Sequence, residues 1–121
     1  MNVKDIQPRS AANVTTEVLA AWKAAYPSGV FEISVPSGEL DKDGNEINPI
    51  RGWMRKPTRN EMRELTSKVK GTDSVTYTEV VLEMLWLGGD EAIKTDDEVF
   101  YSAMGVIQDV LDIKEASLKK V

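Results

Sequence analysis

Apolar and polar positions change period several times along this chain, and each change marks an element. Val14, Val18, Leu19, Trp22 and Tyr26 recur at helical spacing and share one face. They predict a helix over residues 10–26, capped by Ser10 or Asn13 and ended by Pro27-Ser28-Gly29. The period then drops to two. Phe31, Ile33 and Val35 alternate with Glu32 and Ser34, as in a half-buried strand. Asp43-Gly44 is a turn signal, and Ile47 to Lys56 reads as the returning strand, with Asn48-Pro49 making it irregular. Residues 30–56 therefore predict an irregular antiparallel hairpin.

From Pro57 onward the period is helical again. Thr58 with Glu61 fits a capping box, and Met62, Leu65 and Val69 mark the inner face. A next helix is expected from about Ser74 to Leu87, stopped by Gly88-Gly89. Thr95 with Glu98 suggests a second capping box, opening a last helix with Val99, Phe100, Ala103, Met104, Ile107, Val110 and Leu111 on one broad face. Lys119-Lys120 would suit the negative pole of that helix. The expected fold is α+β and mainly helical: an N-terminal helix, an irregular antiparallel β-hairpin, then three packed helices over 57–121. Residues 1–9 lack periodicity and read as a flexible arm before a single domain at 10–121.

Composition narrows the chemistry. The chain has 121 residues, no cysteine and no histidine. Thiol nucleophiles, disulfides, Cys/His zinc sites and Ser-His-Asp triads are thereby excluded. The net charge of −5 opposes broad nucleic-acid binding, which needs clustered positive charge. No apolar run approaches the roughly 18–20 residues of a membrane span. The charged, polar start Met1-Asn2-Val3-Lys4-Asp5 shows no signal-peptide pattern, so the expected location is the cytoplasm.

Three features carry candidate chemistry. Asp41-Lys42-Asp43-Gly44-Asn45-Glu46 resembles the start of a calcium loop, but glycine falls at the fourth position and the bidentate carboxylate is missing. It reads as a solvated turn, and no metal or other cofactor is expected. Arg51 to Arg59 mixes Arg51, Arg55, Lys56 and Arg59 with Trp53, which could contact a single-stranded nucleic acid by charge and stacking. One aromatic does not make a platform, however. Pairs such as Glu79 and Glu83 lack the second group and the cleft that acid–base catalysis requires, so no catalytic residue is assigned and no enzyme is expected. The helix at 74–87 is apolar nearly all round, which places it centrally. Leu82 and Trp86, on its back, are the candidate partner-binding residues, together with Trp53. Such a patch would serve a protein client or a second copy.

Two stretches resemble a known family. Gly52-Trp53-Met54-Arg55-Lys56-Pro57-Thr58-Arg59 is similar to an aromatic-x-Arg-Lys-Pro-Thr signature. Leu85-Trp86-Leu87-Gly88-Gly89-Asp90, followed by Asp96-Asp97-Glu98-Val99-Phe100, resembles a Trp-Leu-Gly-Gly-Asp…Asp-Asp-x-x-Phe segment. Both belong to tail assembly chaperone-like proteins of phages and prophages, and the resemblance covers about residues 50–115. It implies a cytoplasmic, non-enzymatic helper that binds a long helical tape-measure-like client and uses no cofactor. A small nucleic-acid-associated phage regulator and a structural virion subunit are the alternatives.

Overall fold

The computed structural model of the chain describes residues 7–111 and 117–120. Residues 1–6 of the expected arm, and residues 112–116 and 121, lie outside them. The described end of the arm is pinned. Pro8 and Arg9 offer their carbonyls to the Gly89 and Glu91 N–H groups at 3.0 and 3.3 Å. A short 3-10 turn at Ala11–Asn13 follows, then helix α1 at Thr16–Ala25. The caps expected from the sequence, Ser10 and Asn13, belong to that turn. Thr15 caps the helix instead, its side chain accepting from the Val18 N–H at 3.2 Å. The shift has a local cause: the Asp90 carboxylate takes the Ala11 N–H at 2.7 Å and holds this stretch against the sheet.

Strand β1, Val30–Val35, pairs antiparallel with β2, Ile50–Arg55, with Val30 opposite Arg55 and Val35 opposite Ile50. The connection is irregular, as expected. It holds a single bridge, Leu40 to Glu46, and Asn48 takes a φ of 53° just before Pro49. Helix α2, Arg59–Val69, opens on the capping box of Thr58 and Glu61. Helix α3, Ser74–Leu85, opens on Asp73, which accepts from the Thr76 N–H at 2.7 Å.

The main departure comes next. The chain does not continue as helix to Leu87. It leaves α3 after Leu85 and runs straight into a third strand, β3, Trp86–Gly89, antiparallel to β2 on the side away from β1. Two consecutive glycines weaken the helix and let the strand come close. A Cβ on Gly89, at φ 130°, would sit 2.6 Å from the Arg51 carbonyl oxygen. Helix α4, Ala92–Thr95, and helix α5, Asp97–Asp109, complete the described fold. Asp96 rather than Thr95 caps α5, accepting from the Val99 N–H at 3.1 Å. Thr95 closes α4, and its hydroxyl donates to the Glu91 carbonyl. Lys119 and Lys120 lie in an exposed, irregular stretch beyond α5 and do not cap it.

The fold is α+β and mainly helical, with α2, α3 and α5 packed as the expected helical part. Successive strand residues point to opposite faces, so the sheet has two covered sides. On one side Ile33, Val35, Met54 and Trp86 meet Leu65, Val81, Leu82, Leu85, Phe100 and Ile107. On the other side Trp53 and Leu87 meet Trp22 and Ala11. Among the described residues, no helix is long and apolar enough to cross a membrane.

Candidate partner surface

Trp53, Leu82 and Trp86 do not form an exposed patch. Their relative exposures are 5%, 3% and 7%. Trp86 is a strand residue, so the helical projection that placed it on the back of α3 does not apply to it. It enters the larger cluster with Leu82, and the Lys94 ammonium lies 5.2 Å from its ring centroid. Trp53 enters the smaller cluster on the opposite face, 6.4 Å from Trp22 between centroids and tilted by 43°. Leu82 and Trp86 are thus brought together, but in the core, and Trp53 is separated from them by the sheet.

The basic stretch is also committed. Arg51 lies 5.3 Å over the Trp53 ring and 3.4 Å from the Glu32 carboxylate. Lys56 lies 5.7 Å over Phe31. Arg55 forms a two-pronged pair with Glu61, at 2.6 and 2.5 Å, and also stacks 5.1 Å over Tyr26. The Glu61 carboxylate accepts the Thr58 N–H at 2.9 Å as well, so one side chain closes the capping box and anchors β2 to α2. These bonds hold Glu61 at a pKa of about 2, with the Arg55 hydrogen bond the largest cause. The same pair raises the Arg55 pKa. With Trp53 buried, the stretch offers a nucleic acid no aromatic platform.

Asp90 was not singled out from the sequence. One oxygen accepts the Ala11 N–H and the other accepts the Arg51 N–H, at 2.7 and 3.0 Å. It therefore ties the N-terminal segment to β2. Sequence spacing holds no signal for this, since its partners lie 79 and 39 positions away. In the Asp41 turn, one carboxylate oxygen accepts the Asp43 and Asn45 N–H groups, each at 2.9 Å, and these bonds lower the Asp41 pKa. That oxygen organises the turn. Among the described residues no cluster of three or more His, Cys, Asp or Glu could hold a metal ion.

Two surface hollows of about 290 Å³ are open and of mixed polarity. One is lined by Glu64, Lys68, Val80, Glu83 and Met84, between α2 and α3. The other is lined by Thr72, Asp73, Ser74, Tyr77 and Gln108. Partial burial raises the Tyr77 pKa. Tyr101 and Val106 are exposed on α5 but lie on different sides of that helix. No protein-family model matches the chain, and neither a curated protein nor a solved structure matches it significantly.

Proposed function

We propose that this chain is a non-enzymatic, cytoplasmic helper of phage or prophage tail assembly that binds a long helical, tape-measure-like protein. Support comes from the two stretches that resemble tail assembly chaperone-like proteins. Far apart in sequence, they interlock as one unit: β2 and β3 pair, with Trp53 opposite Gly88 and Met54 opposite Trp86. Arg55 locks the first stretch to α2 through Glu61, and Asp90 of the second holds β2. The motif residues thus specify a shared scaffold. A net charge of −5 and polar outer helix faces suit a protein that keeps an apolar client in solution. No cofactor is needed for such a role.

The test is co-expression with a long helical, tape-measure-like tail protein, taken from the same phage or prophage as this chain. Co-purification of the pair, together with absence of the chain from mature particles, is the expected result. Retention in mature particles would make it a virion subunit instead. Failure to co-purify under conditions where both proteins stay soluble would remove the chaperone role.

A further inference from the structure

Both faces of the sheet are covered, and Pro8 and Arg9 cover its edge beyond β3. The edge beyond β1 is different. The Gly29 carbonyl accepts the Lys56 N–H at 3.2 Å just before the β1–β2 ladder, and the register then runs without a shift. The N–H and C=O groups of Phe31, Ile33 and Val35 therefore turn toward β2. Those of Val30, Glu32 and Ser34 point outward, and no described residue bonds them. Exposed edges are commonly guarded by lysine, proline or a bulge. None of these interrupts the six residues of β1. Its one charge, Glu32, is drawn back across the sheet to Arg51 at 3.4 Å. Phe31 remains 37% exposed on this strand. At the Val35 end lies an acidic hollow of about 190 Å³, between β1 and the start of α5. Val35, Pro36 and Val99 line it together with Asp96, Glu98 and Ser102. Asp96 gives one oxygen to the α5 cap, and no described cation pairs with either carboxylate.

We infer that β1 is a docking edge for an extended segment of a partner protein, which adds to the sheet as a fourth strand and carries a basic residue for the acidic hollow. The chemistry of that segment follows from the register. An antiparallel strand exchanges backbone bonds with Val30, Glu32 and Ser34. Its residues across from Phe31, Ile33 and Val35 turn their side chains to the face those three share, the face covered by α5. Across from Phe31 and Ile33, apolar side chains cover the exposed ring and extend the larger cluster. Across from Val35, the side chain meets the hollow, where Asp96 and Glu98 favour lysine or arginine. In chain order the segment therefore reads basic-x-apolar-x-apolar. An acidic residue across from Glu32 would oppose pairing. A second copy of β1 does not fit, because Val30–Val35 holds no basic residue. The edge does not rest on the tail-assembly role, since any partner with such a segment would fit it.

The probe is a synthetic capped peptide, Thr-Lys-Thr-Val-Thr-Val-Thr, and the readout is amide hydrogen exchange on the full-length chain. Without peptide, Val30, Glu32 and Ser34 should exchange fast, and Phe31, Ile33 and Val35 slowly. With peptide at about 1 mM, the first three should slow at least about ten-fold. Ser34→Pro removes one outward N–H and spares the β2 ladder. It should melt like wild type and lose the slowing. Glu98→Gln should weaken binding of this peptide by about three-fold, and should not change binding of the same peptide with norleucine in place of lysine. No slowing in wild type, slowing not confined to alternate residues, or slowing that persists in a folded Ser34→Pro chain would overturn the docking edge. Equal binding of the lysine and norleucine peptides would overturn the basic preference. Protection of Val30, Glu32 and Ser34 that rises with protein concentration, without peptide, would give the edge to a second copy instead. None of these measurements uses the tail client, so a failed co-purification and a failed docking edge are separate results.

Discussion

Glu61 shows how much one side chain can hold. It completes the cap of α2 and receives both prongs of Arg55, and these bonds bring its pKa from 4.5 to about 2. Between those values the unfolded chain binds more protons at this position than the folded chain. Its contribution is therefore fully present above about pH 4.5 and is lost as pH falls towards 2. Urea midpoints should drop across that window, and Glu61→Gln should flatten part of the drop. A slope unchanged by the substitution would mean that other carboxylates cause it. The cap itself was legible, because Thr58 and Glu61 are local and carry a recognised spacing. The Arg55 pair and the Asp90 clamp were not, because nothing in a linear pattern links positions brought together by β2 and β3. Burial at Trp86 was misjudged for a related reason, as its direction depends on the helix having ended one residue earlier. Leu85→Ala should cost about 2–5 kcal/mol and Trp86→Ala about 3–5 kcal/mol, both as core truncations. Lys68→Ala, in an exposed pair with Glu64, should stay within about 0.5 kcal/mol. Thermal and denaturant melts of the three variants check this, and a near-neutral Trp86→Ala would restore a surface role for that residue.

At the scale of elements, the period switches located α1, the β1–β2 hairpin and the three long helices. They failed at Trp86–Gly89, where a four-residue strand follows a helix with no polar or proline break between them. Leu85-Trp86-Leu87 is a short apolar run, and periodicity cannot assign such a run to helix or strand. Gly88-Gly89 was read as a stop signal, but its use here is close approach. A Cβ on Gly88 would lie 2.8 Å from Pro8 Cδ, and one on Gly89 would lie 2.6 Å from the Arg51 carbonyl oxygen. Gly71, by contrast, has a positive φ but open space around its missing Cβ. Gly71→Ala should therefore cost about 1–2 kcal/mol, the backbone penalty alone. Gly89→Ala adds a backbone collision to a strained φ and should cost clearly more, loosening the β2–β3 pair. Denaturant midpoints for the two variants give the comparison, and equal losses would mean that β3 shifts away from β2 without penalty.

For the whole molecule, the sheet's two covered faces decide what remains for a partner. Sequence reasoning looked for apolar residues left over once the core was filled, and chose Trp53, Leu82 and Trp86. It could not see that a third strand completes a sheet with apolar side chains on both faces, Met54 and Trp86 on one and Trp53 and Leu87 on the other. The third strand and α1 together absorb all three residues. Electrostatics at this scale also separates the proposed role from the nucleic-acid alternative. The chain carries −5 overall, while Arg51 and Arg55 have carboxylate partners in Glu32 and Glu61. A phosphate backbone would have to compete with those carboxylates, and with Arg55 the competition is against two short bonds at a largely buried site. Stacking could not compensate, because Trp53 lies beneath Arg51 and against Trp22. The full-length chain should therefore pass through immobilised single-stranded DNA or RNA at about 150 mM salt without retardation, where a dedicated binder making several phosphate contacts would still be held. Retention that falls steeply with added salt, and weakens in Arg51→Ala or Arg59→Ala, would bring back the nucleic-acid reading and displace the tail-assembly one.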